Sequence, residues 1–193
     1  MLFSWRNRHS MTPVTPVVLY PACSLDRSIA ATDGSVGWLD RFSAEGEIYG
    51  YDGFLAGVGS LVMGSRTCEQ VLGFGEWPYA GRPCFVTMSR ELPVPNGADV
   101  RFRAGDASEP SRLSPGQPRT AAPSGLVGGG ALARSMLDAG VVDALDLALM
   151  PMLLGDGIPL FTPGMHPHGP VLSESRALAD GVVQLRYSVR DAE

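Results

Sequence analysis

Leu126-Val127-Gly128-Gly129-Gly130-Ala131-Leu132-Ala133-Arg134-Ser135-Met136-Leu137-Asp138-Ala139-Gly140 is the stretch on which the fold turns. Two apolar residues that read as a brief strand run straight into three glycines and then into a helix. The helix is expected over residues 131–139, because Leu132 and Met136 stand at i and i+4. Gly140 supplies the left-handed residue that often follows a helix. A strand that ends against a helix start leaves free N–H groups and the positive end of the helix dipole together, which suits an anion. Glycine removes the side chain that would keep a phosphate away. The run is not GxGxxG, so it is not the dinucleotide fingerprint of the doubly wound fold. A triple glycine also serves as a tight turn or a packing device.

A second junction of the same kind lies upstream at Met63-Gly64-Ser65-Arg66-Thr67. A short apolar strand is expected over residues 60–63, then Ser65 as an N-cap and a helix over 67–72. Working outward, residues 17–22 read as one buried strand, and residues 84–88 and 100–103 as two more. Residues 45–55 read as a helix, with Ile48, Tyr51 and Leu55 at i, i+3 and i+7. Residues 104–124 carry Pro110, Pro115, Pro118 and Pro123 without apolar periodicity and read as a loop. Residues 144–150 form another apolar strand. Residues 171–177 and 182–189 should make an antiparallel hairpin around Asp180-Gly181. Strands alternating with helices, followed by a terminal hairpin, imply an α/β domain with a mostly parallel sheet and an antiparallel edge.

Composition limits the chemistry. The 193 residues suit one domain, expected over 13–193, with residues 1–12 as a disordered extension. All 15 basic residues are arginine, which excludes a Schiff-base or P-loop lysine. Any phosphate must be held by arginine, hydroxyls or backbone N–H groups. A net charge of −5 gives no general attraction to nucleic acid. No apolar run approaches the ~18 residues of a membrane span. Cys23, Cys68 and Cys84 show no paired spacing and read as reduced thiols of a cytoplasmic protein. His166 and His168 flank Pro167 without further ligands, so no metal is expected.

Several segments taken in order carry a resemblance. They are Ser24-Leu25-Asp26-Arg27-Ser28-Ile29-Ala30, Met63-Gly64-Ser65-Arg66-Thr67, Gly81-Arg82-Pro83, Met88-Ser89-Arg90, Gly128-Gly129-Gly130 and Leu154-Gly155-Asp156-Gly157-Ile158-Pro159-Leu160-Phe161. The chain resembles the dihydrofolate-reductase superfamily, in the branch of the C-terminal reductase domain of bifunctional riboflavin-biosynthesis proteins. The resemblance runs from about Val17 to Val189.

The resemblance implies a dihydrofolate-reductase-like three-layer α/β fold and NADPH as cofactor. It implies that Gly64, Ser65, Arg66 and Thr67, with Gly128, Gly129, Gly130, Ala131 and Leu132, hold the cofactor, and that Ser89 and Arg90 meet its 2′-phosphate. Ala30 would line the nicotinamide pocket. Trp38, Ile48, Tyr51 and Arg82 would meet the substrate. For the proton-donating carboxylate, Glu47 is placed best and Asp52 next. The implied activity is NADPH-dependent reduction of a pterin or related small heterocycle. The alternatives are reduction of a ribosylaminopyrimidinone phosphate and nucleotide binding without turnover. The branch commonly forms homodimers, which implies one here. The chain departs from the family where Ser65 replaces an arginine directly after Met-Gly, with Arg66 one place on. It also departs in Ser-Leu-Asp-Arg, in Met150 where dihydrofolate reductases carry threonine, and in having no lysine.

Overall fold

Short apolar runs separated by glycine and proline become eleven short strands among the described residues, which are 15–42, 49–88, 90–104 and 122–189 of this computed structural model. They are β1 (Val17–Leu19), β2 (Ala22–Ser24), β3 (Ser28–Ala31), β4 (Ser60–Gly64), β5 (Cys84–Thr87) and β6 (Val100–Arg103). The remainder are β7 (Ser124–Leu126), β8 (Ala144–Met150), β9 (Gly157–Pro159), β10 (Val171–Ala177) and β11 (Val183–Ser188). The helices are α1 (Tyr51–Gly57), α2 (Ser65–Leu72) and α3 (Gly130–Asp138). The main sheet runs β10-β11-β8-β1-β7-β4-β5-β6, with β2 also on β8. Its pairs are parallel except for β8–β11 and β10–β11. This is the expected mixed, mostly parallel sheet with an antiparallel edge.

Alternation along the strands builds two cores. Leu19, Val62, Phe85 and Leu126 point to the face covered by Ala133, Met136 and Leu137 of α3. Val18, Leu61, Met63 and Val86 point to the opposite face, under Phe54 of α1 and Cys68 and Val71 of α2. Strands covered on both faces need apolar residues at every position, which is why they read as continuous apolar runs. Full burial of each large side chain is worth about 1.5–3 kcal/mol. β1 and β7 are neighbours, yet the chain leaves β1 toward the α1 face and β7 toward the α3 face. Such a reversal parts the loops at the strands' carboxyl ends and opens a crevice there.

Several expectations are corrected. The strand expected over 17–22 is two strands, because Pro21 has no N–H to give the ladder. The chain shifts there, and β2 resumes further along β8. The helix expected from 45 begins at Tyr51: Tyr49 at φ 46° and Gly50 at φ 89° are left-handed and stop it on the N-terminal side. Ser65 is the first helical residue, and Gly64 stands at the N-cap with no side-chain cap. The hairpin turn holds as expected: Asp180 and Gly181 are both left-handed, and Val182 N–H donates to Ala179 O at 3.1 Å. β3 and β9 pair as a separate two-stranded sheet that the sequence pattern did not announce. The proline-rich segment lies mostly outside the described residues.

Candidate functional site

The carboxyl ends of β8, β1, β7 and β4 border a cleft of about 1110 Å³. Its first wall is made of helix starts. β4 ends at Gly64 and α2 begins at once, while β7 passes through Val127 to Gly128, Gly129 and α3. Neither helix receives a side-chain cap, so their first N–H groups are left for water or a ligand.

The three glycines differ in what a side chain there would meet. Gly128 sits at φ 136°, and a Cβ there would lie 2.5 Å from Thr67 Oγ1, so glycine lets the two helix starts touch. A Cβ on Gly130 would lie 2.4 Å from Pro159 O and 2.7 Å from Leu160 O, so β9 packs directly on the start of α3. A Cβ on Gly129 would meet nothing within 4 Å. The resemblance implies a cis bond between Gly128 and Gly129. No peptide bond among the described residues is cis, and the positive φ of Gly128 makes the reversal instead.

The motif around Gly157 is explained by the same closeness. Its missing Cβ would stand 2.7 Å from Ala30 O in the β3–β9 pair. Asp26 clips the approach to β9, accepting N–H donation from Gly155 at 2.7 Å and from Leu154 at 3.1 Å. Ser24 Oγ donates to the same carboxylate. These hydrogen bonds, Ser24 first, hold the Asp26 carboxyl below the usual aspartate range.

The far wall is aromatic and apolar: Tyr20, Leu39, Phe42, Tyr49, Tyr51 and Met150. Tyr20 OH donates to Tyr49 O at 3.2 Å, and Tyr49 OH donates to the Asp180 carboxylate. Tyr51 OH lies 3.3 Å from Tyr79 OH. Burial pushes the Tyr20 and Tyr51 phenols up, so both stay protonated at neutral pH. Asp33, Arg66 and Glu69 are the charged residues of the lining among the described residues. Gln70 Nε2 donates to Gly34 O at 3.1 Å and ties the loop after β3 to α2.

Of the expected site residues, Ala30, Gly64 to Thr67, Tyr51 and Gly128 to Leu132 all line this one cleft. Arg90 is exposed and pairs with Glu69, a lining residue. Trp38 lies outside the lining and packs with Phe42, Tyr49 and Met150, its Nε1 buried without a partner. Asp52 is exposed on α1 and also outside the lining, as is Arg82 before β5. Glu47, Ile48 and Ser89 fall outside the described residues. Tyr20, Leu39, Phe42, Tyr49, Gln70 and Thr162 line the cleft without having been singled out. Tyr20 falls inside the single strand expected over 17–22, so the sequence carried no separate signal for it.

Among the described residues no helix is long and apolar enough to cross a membrane, and no cluster of metal-ligating side chains forms. Burial raises Cys23 to about 11 and Cys84 to about 12, as befits inert thiols.

No protein-family model matches the chain. It is 31% identical over 145 residues to the uncharacterized protein YwjB of Bacillus subtilis (strain 168), covering 75% of this chain and 81% of YwjB. A Shewanella sp. PV-4 protein assigned to riboflavin biosynthesis superposes with a TM-score of 0.75 at 25% identity, covering 91% of this chain and 99% of that one. The Thermotoga maritima diaminohydroxyphosphoribosylaminopyrimidine deaminase/5-amino-6-(5-phosphoribosylamino)uracil reductase superposes with a TM-score of 0.65 at 16% identity, covering 91% of this chain and 57% of that longer one. The chain therefore belongs to the family of YwjB and has the dihydrofolate-reductase-like fold of the riboflavin-type reductase branch.

Proposed function

We propose that this chain is an NADPH-dependent reductase of a small heterocycle. One observation carries the reading: two uncapped helix starts, brought together by Gly128, open into one cleft at the carboxyl ends of β4 and β7. Free N–H groups and two helix dipoles favour a diphosphate, and the open space at Gly129 leaves room for it. The cradle fits the cofactor that the fold family implies.

In this reading Gly64 to Thr67 and Gly128 to Leu132 hold the diphosphate, and Ala30 borders the nicotinamide. Arg66, exposed on the first turn of α2, and Arg90 at the rim meet the 2′-phosphate, with Ser89 beside it. When bound, NADPH supplies a hydride. The protonated phenols of Tyr20 and Tyr51 shape the acceptor's pocket and take no proton at neutral pH. Glu47 is the proposed proton donor, and Ile48 and Tyr51 are the proposed substrate contacts; Asp52, Trp38 and Arg82 stand outside the lining of the cleft. The name of the Thermotoga protein favours a second reading, reduction of a ribosylaminopyrimidinone phosphate, and the Shewanella protein's name, riboflavin biosynthesis, is consistent with it.

Titration of the protein with NADPH and NADH, followed by tryptophan fluorescence, tests the cofactor. NADPH should bind at least about tenfold tighter, since a charge-assisted phosphate contact contributes about 1.5–3 kcal/mol. Equal affinities would overturn the 2′-phosphate assignment. NADPH oxidation with a dihydropterin, against a ribosylaminopyrimidinone phosphate, separates the two readings.

A further inference from the structure

The cleft's second end differs in character from its first. Resting on the cofactor reading, which places NADPH at the glycines, we infer that this second end takes a planar, uncharged heterocycle that carries no phosphate.

The wall is built of ring faces and hydrocarbon. Tyr20 is stacked on Phe54 with centroids 4.1 Å apart, and Phe42 meets Tyr49 edge-on at 6.4 Å. Leu39, Met150 and Ala148 also line the cleft. The three tyrosine hydroxyls are already engaged within the protein, Tyr20 with Tyr49 O, Tyr49 with Asp180 and Tyr51 with Tyr79. What these side chains offer a ligand is π-surface, which suits a flat ring.

Charge points the same way. Arg66 belongs to the α2 start at the other end of the cleft. Arg41 holds its guanidinium 5.0 Å from the centroid of the Phe42 ring and is outside the lining. Behind Tyr20, buried Asp146 accepts from Gln184 Nε2 and Arg186 Nε, each at 2.7 Å, so that arginine is committed to its own carboxylate. Asp146 raises the Tyr20 phenol more than Arg186 lowers it. A phosphate moved into such a wall would lose its hydration and gain no compensating partner. A neutral ring would lose little.

The test uses a matched pair, a ribitylaminopyrimidinedione and its 5′-phosphate, titrated calorimetrically into the full chain with and without NADPH. The unphosphorylated compound should bind at least about tenfold tighter. Leu39→Arg, which adds a cation to the wall, should narrow or reverse that ratio, with circular dichroism confirming the fold. The wild-type ratio decides the matter even if that variant does not fold. Equal or tighter binding of the phosphate, or binding of neither compound, overturns the inference. The NADPH titration is read separately: if it fails while the pair discriminates as expected, the cofactor reading falls and the neutral-ring preference stands.

Discussion

At the scale of single residues, Gly128 and Gly129 make opposite demands on a substitution. Gly128→Ala puts a Cβ into a left-handed φ of 136° and against Thr67 Oγ1 at 2.5 Å. It should destabilise the fold by about 1–3 kcal/mol, read as a lower midpoint in urea. Gly129→Ala meets no atom within 4 Å, so the midpoint should stay within about 0.5 kcal/mol of wild type while NADPH binding weakens. A drop in stability for Gly129→Ala, or none for Gly128→Ala, would contradict this division. Arg66→Ala should weaken NADPH roughly tenfold to 150-fold and leave NADH nearly unchanged. Arg90 is engaged by Glu69, an exposed pair of little net worth. Glu69→Gln should therefore free Arg90 and tighten NADPH, and a weaker complex would count against Arg90 as a phosphate ligand. The glycine end of the cleft was legible in the sequence because its residues are contiguous and chemically unusual: glycine runs, and arginine where lysine is missing. The aromatic end was not, because Tyr20, Phe42, Tyr49 and Met150 come from separate elements and look like ordinary core residues until the sheet order places them together.

Elements were read well where length or turn chemistry identified them. β6 and β8 have the bounds that their apolar runs suggest, and the Asp180-Gly181 turn has the two left-handed residues that such a pair favours. β2, β3 and β9 are three or four residues long and show no usable period. They exist because tertiary contacts hold them: β2 follows β8 past Pro21, and β3 and β9 are clipped by Asp26 and by the missing Cβ of Gly157. The start of α1 was misplaced because the apolar period continues through Tyr49 and Gly50 while their backbones are left-handed. The Asp26 clip predicts a pH effect with a definite sign. Its folded-state pKa lies below the unfolded value, so its stabilisation is full above about pH 4 and is lost as the pH falls through the folded value. Wild type and Asp26→Asn should differ most in urea midpoint at neutral pH and converge as the pH falls below the unfolded aspartate range and through the lower folded value. A constant difference across that range would show that the carboxylate charge is not what the clip uses.

For the whole molecule, the open question is how the main sheet ends. Its two edges are β6 and β10. On β6, Arg101 and Arg103 guard the edge, and Arg101 is paired with Asp99 at 2.8 Å, a charged edge of the sort that discourages strand addition. β10 is longer and almost wholly exposed, with Val171 60% and Leu172 52% accessible. Apolar residues on a seven-residue edge strand invite another chain. The hairpin is also firmly backed, because Glu174 bonds Arg186 at 3.0 Å and Arg186 bonds buried Asp146 of β8 at 2.7 Å. It therefore presents a rigid surface, which lowers the ordering cost of association. We propose that two copies pair through this hairpin in a symmetric dimer, each presenting the same patch. Light scattering at micromolar concentration should then report twice 20.4 kDa for the wild type. Leu172→Glu places a charge in the patch and should return the 20.4 kDa monomer with its fold unchanged, because the side chain is already half in water. A wild-type monomer at that concentration, or a variant that stays dimeric, would remove the hairpin as the interface. β8 runs from this network to Ala148 and Met150 in the cleft. Comparing ring binding by the monomeric variant and the wild type would then show whether the second copy steadies the aromatic wall of the cleft.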